Sequence, residues 1–215
     1  MARSVLDSGL RELNTELIEM GALCEKVISL ADKALMEGNS EAAKEGIALQ
    51  DEAQEKGRTI ESLCMKLLLT QQPFAQDLRA VSAALKMITD MNRICVIGGD
   101  MCDVITFMDG KPGTASLSRM AVETSSMVSR AIDAFVRQDV MIAHQVIKSD
   151  DSVDELFVRT RNEIVDMITE DKANGEYAVN LVMVAKYYEK IGDHAVNIAQ
   201  WVTYAVTGVK PSAKA

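Results

Sequence analysis

Apolar residues recur every three or four positions in six long segments of the chain, separated by short polar breaks. In the third segment, Leu78, Val81, Leu85 and Ile88 follow one another at alternating steps of three and four. This spacing places them on one face of an α-helix, as in the stripe that a helix bundle buries. Each segment has about 30 residues, or about 45 Å at the rise of an α-helix, a usual length in bundles. The pattern predicts an all-α protein of six long helices.

The polar breaks suggest where the helices begin and end. Ser40 follows a Gly-Asn pair and is expected to cap the second helix. Pro73 is expected in the first turn of the third helix, where a missing N–H is tolerated. The run Asp-Gly-Lys-Pro-Gly at 109–113 is the clearest linker. The remaining breaks are at Asp139 and at Asn174 with Gly175.

The two halves of the chain resemble each other, as a test for internal repeats reveals. At an offset of 100 positions, Ala31, Ala34, Leu35 and Asn39 align with Ala131, Ala134, Phe135 and Asp139. The offset falls to 97 in the last helix of each half, where Asn92, Val96 and Asp100 match Glu189, Asp193 and Asn197. We therefore predict a tandem repeat of two three-helix bundles, at 1–108 and 114–208, followed by a polar tail at 209–215.

Composition narrows the class of protein. A formal net charge of -9 argues against a nucleic-acid partner, because such binding depends on clustered Lys and Arg. The four cysteines form no CxxC pair and are interpreted as free core thiols. The first residues lack the apolar core of a signal peptide, and no apolar run is long enough for a membrane span. These features predict a soluble protein in a reducing cytoplasm.

The most informative stretch lies in the last segment, where Glu189, Asp193 and Asn197 are four residues apart and share one helical face. Two like charges at this spacing destabilise an isolated helix by roughly 0.2 to 0.5 kcal/mol, so they invite a compensating cation or a binding partner. In the fifth segment Asp150 falls on the apolar stripe and Asp154 lies one turn beyond it. If these two helices are neighbours, the four carboxylates converge, and oxygen ligands suit divalent or iron-type metal ions.

Simpler interpretations of the same residues remain open. Acidic residues four apart are common on solvated helix faces, so Glu189 and Asp193 could be ordinary surface. His194 is interpreted as a structural hydrogen-bonding residue rather than a metal ligand, and His144 as surface. The sequence has no Gly-rich phosphate loop and no GxSxG motif. A binding protein is therefore favoured over an enzyme.

Three groups of residues together resemble the PhoU family of phosphate-signalling regulators, which is marked by tandem three-helix bundles with an ExxxD motif in each half. The run Glu-Lys-Ile-Gly-Asp at 189–193, with Asn-Ile-Ala at 197–199, resembles the motif of the second half. Asp150, Val153 and Asp154 resemble the DxxVD element of that half. The run Leu-Leu-Thr-Gln-Gln-Pro-Phe-Ala-Gln-Asp-Leu-Arg at 68–79 resembles the turn of the first half.

The first half departs from the family pattern. Asn92 and Val96 replace its ExxxD acids, and Gln50 and Gln54 stand where the second half has acids. We therefore expect a metal site, formed by Asp150, Asp154, Glu189 and Asp193, in the second half only.

The resemblance implies a negative regulator of phosphate uptake and of the phosphate-starvation response. It implies partners, namely the ATPase subunit of a phosphate transporter and a sensor histidine kinase, and it leaves a homodimer open. It also implies a cytoplasmic location, with contact to the inner face of the membrane through those partners. Two alternatives are a carboxylate-bridged metal-binding protein or metalloenzyme, and a helical adaptor without a phosphate role. A diiron enzyme would use an ExxH motif, which the sequence lacks.

Overall fold

The computed structural model describes residues 2–211 and consists of α-helices joined by short connections. The six long helices are α1 (Ala2–Glu37), α2 (Ser40–Gln71), α3 (Gln76–Thr106), α4 (Ala115–Arg137), α5 (Val140–Glu170) and α6 (Gly175–Thr207). A single 3-10 turn, Lys172–Asn174, precedes α6, and the described range contains no strand. The prediction of six long helices is confirmed. The predicted tail at 209–215 reaches beyond the described range, because 212–215 lie outside it.

The helices form two three-helix bundles that pack side by side. Helices α1, α2 and α3 contact one another, as do α4, α5 and α6, while α3 packs on α6 and α1 packs on α4. The outer helices are therefore α2 and α5. One apolar core runs through both bundles, so the tandem repeat forms a continuous interior. No helix within 2–211 is both long and apolar enough to cross a membrane.

The structure corrects two predicted helix starts. The cap of α2 is Asn39, whose side-chain oxygen accepts a hydrogen bond from Ala42 N at 3.0 Å, whereas Ser40 is the first helical residue. Asn39 can cap because its backbone is extended, which lets the side chain turn back onto the first turn. Pro73 lies in the connection before α3 and not in its first turn, because Ala75 has the non-helical angles φ 49° and ψ −111°.

The burial of the core follows the predicted periodicity. Val81 and Ile88 are buried and Leu85 is half-buried, but Leu78 at the start of α3 is exposed. All four cysteines are buried and unbridged, which confirms them as core thiols. Cys24 Sγ lies 3.6 Å from Cys95 Sγ, and burial raises the pKa of Cys64 and Cys102 to about 12. At these pKa values the thiols of Cys64 and Cys102 are protonated at neutral pH.

The contact between α3 and α6 repeats itself across the two halves. Asp90 of α3 accepts a hydrogen bond from Asn197 Nδ2 of α6 at 3.3 Å. At the 97-residue offset the equivalents of Asp90 and Asn197 are Tyr187 and Asp100. Burial and then the charge of Asp100 raise the pKa of Tyr187, which places those two side chains near each other as well. The contact between α3 and α6 thus brings together positions that correspond at the repeat offset.

Candidate metal site and its counterpart in the first half

Asp150 lies at the contact between α5 and α6, as its place on the apolar stripe predicts. Its side chain is 9% exposed, and a Cβ atom built on Gly192 of α6 would lie 3.5 Å from Asp150 Oδ1. Gly192 therefore marks a close approach of the two helices beside this carboxylate. The neighbouring placement of helices five and six, on which the four-carboxylate prediction depends, is confirmed.

Glu189 and Asp193 lie on the same face of α6, and lysines of the same helix neutralise them. Lys186 Nζ lies 2.6 Å from Glu189 Oε2, and Lys190 Nζ lies 2.6 Å from Asp193 Oδ2. The hydrogen bond to Asp193 raises the pKa of Lys190. Glu189 is largely buried, with a 15% exposed side chain, whereas the side chain of Asp193 is 44% exposed. The compensating cations expected for this face are therefore present as ammonium groups.

Asp154 is the outermost of the four predicted ligands. It is exposed on α5, where it lines a shallow depression together with other residues of that helix. Within the described chain, no three His, Cys, Asp or Glu side chains are close enough together to hold a metal ion. The donor types suit a hard cation, but Lys186 and Lys190 would have to turn away to admit one. The metal site stays a prediction.

Two features of this region were not predicted from the sequence. The pairing of Lys186 and Lys190 with the acids could have been found, because residues three apart on a helix are neighbours. The role of Asp90 could not have been predicted, because it depends on a contact between the halves, in which Asp90 Oδ1 lies 2.8 Å from His194 Nδ1. This contact agrees with the interpretation of His194 as a structural hydrogen-bonding residue, and His144 is exposed as expected.

The first half has a groove at the equivalent position. This first-half groove, with a volume of about 350 Å³, lies between α2 and α3. It is lined by Gln50, Asp51, Gln54, Thr89, Asn92, Arg93 and Val96. At the repeat offsets these positions correspond to Asp150, Asp151, Asp154, Lys186, Glu189, Lys190 and Asp193. The four neutral replacements thus lie together, at the place where the second half holds its carboxylates.

The amides of the first-half groove pack tightly against the opposite helix. Gln50 Nε2 donates to Val96 O at 3.1 Å and to Asp100 Oδ1 at 3.4 Å, which ties α2 to α3. Asn92 lies against Gly57, and its buried Oδ1 accepts no hydrogen bond from the described residues. This half therefore lines its groove with side-chain amides and offers fewer anionic ligands to a cation.

The fold is that of a tandem pair of three-helix bundles with an acidic pair on the last helix, and comparison with known proteins identifies its family. The family model described as the PhoU domain matches residues 17–105 and 117–202, and the chain belongs to this family.

Named relatives extend over nearly the whole chain. The "Phosphate-specific transport system accessory protein PhoU homolog" of Clostridium acetobutylicum is 31% identical over 212 residues, which covers 97% of both chains. The homologue of Pseudomonas aeruginosa is 30% identical and covers 93% of this chain and 84% of its own length. The crystal structure of PhoU from P. aeruginosa superposes with a TM-score of 0.87 at 28% identity, covering 94% of this chain and 99% of that one.

A second solved structure supports the fold alone. The phosphate transport system regulatory protein PhoU from Streptococcus pneumoniae superposes with a TM-score of 0.89 at 21% identity, covering 97% of this chain and all of the other. The tandem arrangement of two three-helix bundles is thus shared with proteins of low sequence identity.

Proposed function

We propose that this protein is an accessory regulator of phosphate transport that lowers phosphate uptake and represses the phosphate-starvation response. The observation that carries the proposal is the match, over nearly the full length of both chains, to proteins named as accessories of the phosphate-specific transport system. The expected partners are the transporter's ATPase subunit and a sensor histidine kinase. The regulator acts from the cytoplasm by binding and not by catalysis, meeting the membrane through these partners.

A deletion strain tests the regulatory role. We expect deletion to raise alkaline phosphatase activity and phosphate uptake in phosphate-replete medium, and a plasmid copy of the gene to restore repression. Normal repression in the deletion strain would instead favour a helical adaptor without a phosphate role. Retention of the transporter ATPase on the immobilised protein, measured against the ATPase subunit of a transporter for a different substrate, tests the partner separately.

We also propose that Asp150, Asp154, Glu189 and Asp193 hold one or more divalent or iron-type metal ions in the second half. The support is the meeting of α5 and α6 beside Asp150, and the sharing of one face of α6 by Glu189 and Asp193. On binding, the metal would replace the ammonium groups of Lys186 and Lys190 as the counter-charge. Carboxylate oxygens supply the ligand type that such ions take.

Elemental analysis of the purified protein tests the metal site. Asp193→Ala is expected to lower the metal content strongly, because it removes one of the four predicted ligands and disturbs the charge balance around Glu189. Asp51→Ala is the matched control, since Asp51 lines the equivalent first-half groove. Equal metal content in the wild type and in Asp193→Ala would overturn the assignment, and equal losses in both variants would show binding that is not specific to the second half.

A further inference from the structure

Three apolar side chains are exposed around the turn between α2 and α3, at one end of the two bundles. Leu69 in the last turn of α2 is 73% exposed, Phe74 in the connection is 85% exposed, and Leu78 in the first turn of α3 is 43% exposed. These residues and the turn that joins them form the α2–α3 tip. Exposed apolar side chains that lie together mark an interaction site, whereas single ones are ordinary surface.

The backbone of the α2–α3 tip holds Phe74 toward solvent. Gln72 has φ 46° and ψ 59°, and Ala75 has φ 49° and ψ −111°. Residues with a Cβ atom avoid positive φ, and such conformations are concentrated at functional sites. Between these two positions Pro73 is buried while Phe74 is exposed. The turn is therefore anchored by the proline, with the phenyl ring outside.

The end of α6 lies beside the α2–α3 tip. Arg79 Nε of α3 donates a hydrogen bond to Ala205 O of α6 at 3.3 Å. Beyond α6, Val209 is 69% exposed, and Lys210 Nζ lies 3.9 Å from the centre of the Trp201 ring. Trp201 is the only tryptophan of the sequence. Tryptophan rings and lysine side chains each combine an apolar body with a polar end, which suits the boundary between lipid and water.

The α2–α3 tip is positively charged in a chain that is acidic overall. Positions 65–79 contain two cations, Lys66 and Arg79, and one acid, Asp77, which gives a net charge of +1, against -9 for the whole chain. Lys66 is exposed and forms no ion pair with any described residue. It lies five residues before the end of α2 at Gln71, which corresponds to about 7 Å along the helix axis. The apex of the tip is therefore apolar, and a cation lies behind it.

The equivalent turn of the second half, between α5 and α6, has the opposite character. Positions 165–176 contain four acids and one lysine, which gives a net charge of -3. The connection itself, at 171–174, has no apolar side chain larger than that of alanine. The repeat fold therefore does not require an apolar, positively charged turn, so these properties of the α2–α3 tip favour a function specific to it.

The acidic turn of the second half lies at the far end of the bundles. Gln76 Nε2 at the α2–α3 tip donates to Gln138 Oε1 at 2.9 Å, so α5, which starts at Val140, begins beside the tip. The 31 residues of α5 span about 45 Å and carry the following turn to the other end. Charges separated by much more than about 8 Å are screened at physiological ionic strength. The acidic turn therefore does not oppose the approach of the tip to a negatively charged surface.

We propose that the α2–α3 tip inserts into the surface of an anionic lipid bilayer. Phe74, Leu69 and Leu78 enter the boundary between headgroups and acyl chains, while Lys66 and Lys210 contact the lipid phosphates. Interfacial segments bury their apolar side chains to a depth of about 5 to 10 Å, which matches an apolar apex with a cation about 7 Å behind it.

The charges favour a bilayer over a second copy of the chain as the occupant of this surface. Two chains that each carry a net charge of -9 repel each other, whereas anionic headgroups attract the cations behind the tip. Direct contact with lipid adds to the contact made through the proposed partners. It does not depend on the phosphate role or on the metal site.

Co-sedimentation of the full chain with lipid vesicles, at physiological ionic strength, tests the proposal. We expect the wild type to bind vesicles of phosphatidylcholine with about 30% phosphatidylglycerol, and to bind pure phosphatidylcholine at least about fivefold more weakly. Phe74→Ser should lower the partition coefficient about tenfold, because the exposed ring no longer leaves water. Lys66→Gln should lower it by a smaller factor, about threefold. Both side chains are exposed, so the variants should keep the circular dichroism of the wild type.

Two matched variants away from the tip are the controls. Phe107→Ser removes an exposed phenyl ring at the other end of α3, and Lys172→Gln removes an exposed lysine from the acidic turn of the second half. Both should bind vesicles as the wild type does. The proposal is overturned by the absence of vesicle binding, by equal binding to the two kinds of vesicle, or by equal losses in Phe74→Ser and Phe107→Ser.

A protein interface at the same surface would give a different result. If the wild type does not bind vesicles, and Phe74→Ser weakens retention of the transporter ATPase on the immobilised protein, the tip is a protein interface and the proposal is overturned. Vesicle binding that Phe74→Ser weakens, with ATPase retention unchanged, supports the proposal whether or not the phosphate role holds.

Discussion

The equivalent positions of the two halves, at the first-half groove and at the predicted metal site, differ in how their polar groups are balanced. In the second half, Glu189 is accompanied on α6 by Lys186, which neutralises it. The equivalent pair in the first half is Asn92 and Thr89, and both are uncharged. At this pair the lysine and the carboxylate are both replaced by uncharged residues. At the next pair the cation is kept, because Arg93 stands at the position of Lys190 although Val96 replaces Asp193.

The helix crossings at the first-half groove and at the predicted metal site differ in steric room. A Cβ atom on Gly57 of the first half would lie 2.4 Å from Asn92 Nδ2, and one on Gly99 would lie 2.0 Å from Gln50 Nε2. A Cβ atom on Gly192 of the second half would meet Asp150 only at 3.5 Å, an ordinary contact. The amides of the first half leave no room for a Cβ atom at these glycines, whereas Gly192 of the second half has room for one beside Asp150.

The strongest way to break this difference is to give the first half the acids of the second. We expect a large loss of stability in the variant that carries Gln50→Asp, Gln54→Asp, Asn92→Glu and Val96→Asp. In the presence of a metal chelator its free energy of unfolding should fall by about 3 kcal/mol or more, because partly buried charges are left unpaired. Added divalent metal should recover much of this loss, since a ligand that binds only the native state stabilises it. Urea unfolding with and without metal measures both effects.

The reciprocal exchange is the control for that experiment. Asp150→Gln, Asp154→Gln, Glu189→Asn and Asp193→Val should abolish the response of the natural protein to metal. A grafted first half that unfolds identically with metal and with chelator would show that the four positions do not determine metal binding.

A smaller difference is expected from adding a methyl group at each crossing. Gly57→Ala should destabilise the protein by about 1 to 2 kcal/mol, because the new Cβ displaces the short, confined Asn92 side chain. Gly192→Ala should be neutral or stabilise it by up to about 1 kcal/mol, because alanine favours the helix and the space is sufficient. Chemical denaturation in the presence of a metal chelator compares the stability of the two variants. Equal losses of stability would show that both crossings are equally tight.

A third comparison concerns Asp32 of α1, whose repeat equivalent on α4 is the buried Ile132. Because burial raises the pKa of Asp32, the native state holds this proton more tightly than the unfolded chain does. The carboxylate therefore lowers stability as the pH rises above its ordinary pKa of 3.8. We expect Asp32→Asn to stabilise the protein by roughly 1 kcal/mol at neutral pH.

The pH dependence distinguishes this cause from a change in packing. The gain from Asp32→Asn should shrink as the pH falls through the region just above 3.8 and be absent below it. Thermal unfolding of both proteins across this range provides the measurement. A gain that does not change with pH would contradict the assignment to the buried charge.

The smallest effect is expected from removing the lysine that accompanies Glu189. Lys186→Thr introduces the residue of the first half and should cost less than about 1 kcal/mol of stability, because the ion pair is partly exposed. It should also strengthen metal binding, because one competing cation is gone. Thr89→Lys in the first half is the matched control and should change neither quantity appreciably. Metal titration of the two variants measures the difference, and weaker metal binding by Lys186→Thr would contradict the competition.

Much of the architecture follows from the local pattern of apolar and polar residues. The predictions from that pattern that were wrong are informative as well. The periodicity of apolar residues predicted six helices and the buried position of Asp150, because helix geometry fixes which residues share a face. The start of α3 was predicted wrongly, because the positive φ angles of Gln72 and Ala75 delay the helix to Gln76. Such turn conformations depend on how two packed helices meet and not on the proline alone.

The sequence by itself determined the helices, the repeat, the family and the contrast between four acidic positions in one half and their neutral replacements in the other, since all of these depend on residue type and spacing along the chain. Only the tertiary structure decided that Asp90 meets His194 and Asn197, and that Asp32 lines a groove opposite the serines of α4. The physical reason is that contacts between halves join residues about a hundred positions apart, and helical periodicity sets which face a residue occupies but not which helix covers it.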